Sequence, residues 1–175
     1  TRMRSARTAV IGVAGIVLAL AGCSGSAEPA PTGAPVATAT PPSSGVEMNC
    51  DTIMRPSFVE QLKELGWVAQ EAPFRIGEHV LDGGIQCVWG DEAGLDSGQM
   101  YGWAPIDAES AVEMQDYLET NGWVVSEDDE YVYVSEDPER SYAASPEEVL
   151  TYQFAPGWVA LADTKSGLAL VTWRG

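Results

Sequence analysis

Ile76-Gly77-Glu78-His79-Val80-Leu81-Asp82-Gly83-Gly84-Ile85-Gln86-Cys87-Val88-Trp89 is the stretch whose reading decides the fold. Apolar runs flank Asp82-Gly83-Gly84, and glycines supply the positive φ that a tight turn requires. The stretch therefore reads as a hairpin, with strands over Ile76–Leu81 and Ile85–Trp89. In the second strand Ile85, Cys87 and Trp89 alternate onto one face. That face is the one expected to be buried, so an antiparallel sheet with a covered face is predicted.

Upstream, Ser57-Phe58-Val59-Glu60 has the form of a capping box, with Ser57 at the N-cap and Glu60 three residues on. Phe58, Leu62 and Leu65 then share a helix face, and Gly66 stands where a helix C-cap glycine belongs. Downstream, Gln99–Ala104 reads as a strand stopped by Pro105. Asp107 caps a second helix with Glu109 in its first turn, and Ala111, Met114, Tyr117 and Leu118 face the core. Asn121-Gly122 ends it. Leu65-Gly66-Trp67-Val68 and Asn121-Gly122-Trp123-Val124 are echoes of one another. Either an internal duplication or one helix-ending solution used twice accounts for them.

The rest is strand-rich. Glu130–Ser135 alternates Tyr131 and Tyr133 against Val132 and Val134. Ser145-Pro146-Glu147-Glu148 has the form of a single helical turn. Val149–Phe154 and Trp158–Asp163 form a hairpin around Ala155-Pro156-Gly157, and Leu168–Trp173 is a last strand. The expected class is α+β, an antiparallel sheet with both helices on one face.

At the N-terminal end, Arg2, Arg4 and Arg7 precede an uncharged run of 15 residues, Thr8–Gly22, closed by Leu20-Ala21-Gly22-Cys23. A run that short falls below the ~20 residues a membrane-spanning helix needs. Positive start, short apolar core and small residues before a cut site describe a secretory signal. Leu20-Ala21-Gly22-Cys23 resembles the lipobox of bacterial lipoproteins. The resemblance implies a diacylglycerol on the Cys23 sulfur, cleavage before Cys23, and a protein held on the outer face of the cell membrane. The expected organisation is a signal peptide over 1–22, a lipid anchor and tether over 23–45, and one extracytoplasmic domain over 46–175. Ser24–Gly45 is almost all Ser, Gly, Ala, Pro and Thr, a composition that cannot bury a core. Its reach lies between about 25 Å as a flexible coil and about 70 Å fully extended. Cys50-Asp51 ahead of a helix, with Cys87-Val88-Trp89 on a strand, is similar to uncharacterised actinobacterial envelope lipoproteins. That likeness bears on fold and location, and carries no function over.

In an oxidising compartment Cys50 and Cys87 form an even pair and read as a disulfide. Two free thiols or a metal site are the alternatives, and His79 is the sole histidine. The chain has 9 basic and 26 acidic residues. Removing the three signal arginines leaves 6 against 26, or −20, a balance that repels nucleic acid and anionic lipid headgroups. No metal or cofactor is expected. Glu127-Asp128-Asp129-Glu130 with Glu136-Asp137 lacks the ligand spacing of an EF-hand and reads as a solvated acidic turn.

Catalytic signals are sparse. Lys165-Ser166-Gly167 resembles one motif of penicillin-binding enzymes, but the Ser-x-x-Lys those enzymes need is missing, and a turn explains it. Of the six tryptophans, Trp67, Trp89, Trp123 and Trp173 sit in apolar patterns. Trp103 and Trp158, beside a proline and a Pro-Gly turn, are the candidate surface binding residues. The expected function is a non-enzymatic binding or envelope-associated module. A basic envelope protein or a wall glycan would be its partner, besides the membrane reached through Cys23. A transporter's solute-capturing component and a small envelope hydrolase are the alternatives.

Overall fold

A computed structural model of the chain describes residues 45–92, 98–143 and 145–175. The expected signal, Cys23 and nearly all of the tether lie outside the described residues. Helix α1 (Pro56–Glu64) begins one step before the expected cap. Pro56 presets a helical φ at the first position, so Arg55 takes the cap place and Ser57 lies inside the helix. Val59 and Leu62 are its buried residues, whereas Leu65 is 70% exposed. Gly66 takes φ +79°. Its N–H donates to Lys63 O, and the Trp67 N–H reaches back to Leu62 O, closing the helix in a Schellman arrangement.

Strands β1 (Val68–Ile76) and β2 (His79–Gly90) form the first hairpin, but its turn is Gly77-Glu78, not Asp82–Gly84. Asp82, Gly83 and Gly84 lie within β2, where the pairing jumps from Pro73↔Ile85 to Arg75↔Val80. The bulge takes up the extra residues on β2. Gly84 is there for close approach: a Cβ on it would lie 2.8 Å from Phe74 Cβ and overlap Ala104. Two glycine sites compete for the same turn, and packing between strands decides the register.

Strand β3 (Gln99–Pro105) follows, then α2 (Ala108–Thr120), capped by the Asp107 carboxylate accepting the Ser110 N–H at 2.9 Å. Its end repeats that of α1: Gly122 at φ +88°, its N–H on Glu119 O, and the Trp123 N–H on Leu118 O. The remaining strands are β4 (Val124–Glu127), β5 (Val132–Ser135), β6 (Thr151–Ala155) and β7 (Trp158–Ala162). The expected last strand over Leu168–Trp173 is instead a 3-10 helix, Ser166–Leu170, followed by a single bridge from Val171 to Met54. The sheet offers no place beside β7 for another strand, because β3 and β6 already occupy both of its edges.

All seven strands form one antiparallel sheet in the order β1-β2-β3-β7-β6-β5-β4. The helices do not share a face. Val59 and Leu62 of α1 pack with Tyr101, Trp103, Ala160 and Ala162. Met114 and Leu118 of α2 pack with Ala104, Val159 and Leu161. Neighbouring residues of β3 and β7 point to opposite faces, so the two helices cover opposite sides. The cause is visible in β7: Val159, Ala160, Leu161 and Ala162 are all buried, and such a strand needs cover on both faces.

Two further features tie the layers together. Cys50 is disulfide-bonded to Cys87, pinning the segment before α1 to β2. With β7 at the centre, β1-β2-β3 and β4-β5-β6 flank it in mirrored order, each preceded by a helix. In topology, a half-turn about β7 exchanges the two halves and carries each helix to the other face.

Candidate functional site

The far half of the sheet carries two concavities that share Tyr131. The first is a groove of about 440 Å³ on the α2 side. Ala108, Ala111 and Val112 of α2 form one wall, and Val132, Phe154 and Pro156 form the floor and far wall. Val112 is 56% exposed there. Asp107, Asp128, Asp129 and Glu130 rim it, with no basic residue in the lining.

Two of those carboxylates are held in place by the backbone. Asp107 lies below its ordinary range, first because of the Ser110 N–H. Asp128 is also lowered, by the Glu130 and Tyr131 N–H groups, which its Oδ1 accepts at 2.9 and 2.8 Å. Its Oδ2 accepts the Tyr133 hydroxyl at 3.0 Å. The acidic turn is thus an ordered loop that spends Asp128 on its own donors, with Asp129 on the groove rim and Glu130 beside it, one oxygen taken by the Tyr131 hydroxyl. Among the described residues no group of three or more His, Cys, Asp or Glu is placed to hold a metal.

The second concavity, about 500 Å³, opens on the other face, where α1 does not reach. Alternation along β5 and β6 turns Val132, Val134, Tyr152 and Phe154 toward the α2 side and Tyr133 and Gln153 toward this one. Gln153 is 8% exposed, and its amide meets the Tyr133 hydroxyl. Burial, and then the bond to Asp128, raises the Tyr133 phenol. Tyr131 is raised by its own hydroxyl bond to Glu130, 2.6 Å. Lys165 Nζ sits 3.8 Å from the centre of the Tyr133 ring, and the Arg174 guanidinium 4.3 Å from that of Trp158.

The two expected surface tryptophans separate. Trp103 is 6% exposed and belongs to the core under α1, edge-on to Trp173 at 6.4 Å, so it is not a surface residue. Pro105 ends its strand without exposing it, because β3 is a central strand. Trp158 is half-buried beside the second concavity, between Arg174 and Tyr131. Trp89 is 1% exposed. Trp67, Trp123 and Trp173 pack partly buried against the two cores. Tyr131, Gln153 and Arg174 were not singled out as site residues by sequence reasoning. The polar alternation of Tyr133 with Gln153 on paired strands is the signal that would have found the cleft.

His79 and Asp163 lie apart from both concavities. His79 stacks edge-on against Tyr117 at 4.7 Å. Asp163, raised to about 6 by burial, accepts the Met100 N–H at 2.7 Å and lines neither. No family model matches the chain, and no curated protein or solved structure matches it either.

Proposed function

We propose that this protein is a lipid-anchored, extracytoplasmic binding module that holds a basic partner without turning it over. The groove carries the proposal: an apolar trough whose charged rim is entirely acidic. Apolar walls reward burial of an aliphatic or aromatic side chain. A one-signed rim favours the opposite charge and repels its own. A peptide segment with Lys or Arg around an apolar anchor satisfies both, in a chain whose excess of acids steers such partners inward. The location rests on Leu20-Ala21-Gly22-Cys23 and the charged, short apolar segment before it. Among the described residues no helix is long and apolar enough to cross a membrane.

The matching helix ends and the mirrored strand order support a further reading, that the two halves descend from one duplicated helix-and-three-strand unit. Under that reading β7 is the added strand that closes the sheet.

The groove is tested by titrating the full chain with a Lys/Leu decapeptide and its Glu/Leu counterpart. Ala108 is an exposed helix-start residue on the groove wall. Ala108→Trp should fill the trough and weaken the Lys/Leu peptide roughly tenfold, or about 1.4 kcal/mol. Asp129→Asn should weaken it by a smaller factor, and added salt should do the same. Equal binding of the two peptides, or indifference to Ala108→Trp, would show that the groove is not the site. The anchor has its own readout. Wild-type protein should partition with membranes and incorporate labelled fatty acid, and Cys23→Ala should do neither. Label retained in that variant would refute the assignment.

A further inference from the structure

The second concavity is set apart by charge. Residues 45–175 hold only six basic side chains, and Lys165 and Arg174 both line this one cleft. Glu147 is the only acid in its lining. Four other clefts of similar volume among the described residues are each lined by more acids than bases. A net positive hollow on so acidic a chain is against the grain of the composition.

The two cations also have donors to spare. Lys63 is ion-paired with Asp51, and the Arg55 guanidinium donates to Ala169 O. Lys165, by contrast, rests on the face of Tyr133, and among the described residues it makes no ion pair or hydrogen bond. Arg174 stacks on Trp158 and spends only Nη1, on Val171 O and Trp173 O. Its Nη2 and Nε have no acceptor among the described residues. Stacking fixes the guanidinium plane and leaves its edge free, the geometry that suits a carboxylate. Asp128 lies close enough to feel the Lys165 charge, but its oxygens accept the Glu130 and Tyr131 N–H groups and the Tyr133 hydroxyl. Glu130 accepts the Tyr131 hydroxyl, and neither acid forms an ion pair with Lys165. Gln153, more than nine-tenths buried, lines the hollow with an amide.

We propose that this cleft binds a small organic acid, its carboxylate taken by Lys165 and Arg174 and its body lying against Tyr131 and Tyr133. The volume lies within the range of small-molecule sites. Gln153 and Glu147 offer hydrogen bonds to hydroxyl or amide groups on the body. A uronic acid and the free C-terminus of a short peptide both present that chemistry. The cleft shares Tyr131 with the groove on the other face but not Ala108, so Ala108→Trp leaves the cleft intact.

Calorimetric titration of the full chain tests it with two matched pairs: glucuronate against glucose, and acetyl-alanyl-alanine against its C-terminal amide. In at least one pair the acid should bind roughly tenfold more tightly than its neutral partner, and the pair that does so identifies the source. Lys165→Gln and Arg174→Gln should each remove most of that preference. Glu147→Gln should strengthen the acid's binding, a gain that partial unfolding cannot produce. All three side chains sit at the cleft surface, so melting temperatures should be unchanged. Failure of both acids to bind at millimolar concentration would overturn the proposal. So would equal affinity of acid and neutral partner, or acid binding unaffected by Lys165→Gln and Arg174→Gln.

Discussion

Phe74→Ala should lower stability by about 3–5 kcal/mol, the range for removing a buried phenylalanine ring. Phe74 is fully buried in β1, close to an otherwise exposed sheet edge. Two glycines on two neighbouring strands are shaped around it. A Cβ on Gly84 would lie 2.8 Å from its Cβ, and a Cβ on Gly102 would lie 2.8 Å from its ring. Tyr152 meets the ring edge-on at 6.2 Å, across the sheet on the α2 side. These three neighbours are backbone and a rigid aromatic, and none of them can collapse into the space the ring vacates. Where lining relaxes poorly the cavity cost is at its largest. In a domain of this length the loss corresponds to a fall in melting temperature of very roughly 10–20 °C. Chemical denaturation should show the midpoint falling with little change in slope. A loss below about 1 kcal/mol would mean that β1 closes over the gap, and that the glycines do not hold the strands apart.

Much of this architecture was legible in the sequence, and what escaped has physical causes. Asp107 at the head of α2 and Gly157 in the last hairpin each had one reading, because capping and tight turns are local chemistry. Gly77 and Gly83-Gly84 offered two turns, and the choice lay with the close approach of Gly84 to Phe74 and Ala104 on neighbouring strands, a contact that no local turn pattern contains. The placement of helices on opposite faces was present in Val159-Ala160-Leu161-Ala162, a run apolar on both sides, yet such a run is equally consistent with an ordinary half-buried strand read loosely. The 3-10 helix near the C-terminus was missed because strand propensity says nothing about whether a sheet edge is vacant. The candidate sites were less legible still. Lys165 and Arg174 meet Tyr131 and Tyr133 only through the order of β5, β6 and β7 and the return of the C-terminal tail. The acid-rich turn Asp128–Glu130 was visible as charge, but its role as the groove's rim depends on where α2 lands. Trp103 shows the converse: its neighbours in sequence suggested the surface, and a central strand buried it.

Replacing Cys50 and Cys87 together by alanine should lower stability by up to about 4 kcal/mol, the entropy a cross-link of this span removes from the unfolded chain. The bridge joins residues 37 apart in sequence, and the loop it closes contains α1, β1 and most of β2. Without it, the unfolded ensemble gains the full freedom of that loop, while the folded state changes little, because both positions are buried among α1 and β2 residues. The loss should appear as a lower denaturation midpoint in Cys50→Ala/Cys87→Ala. The effect is a property of the pair, so either single substitution should cost nearly as much as both. Two independent residues would instead add, and a double-mutant cycle separates the cases. Strong coupling, close to the whole single-mutant loss, is the expected result. Additive losses, or a double variant as stable as the parent, would show that the bridge contributes nothing beyond the packing of two small apolar side chains.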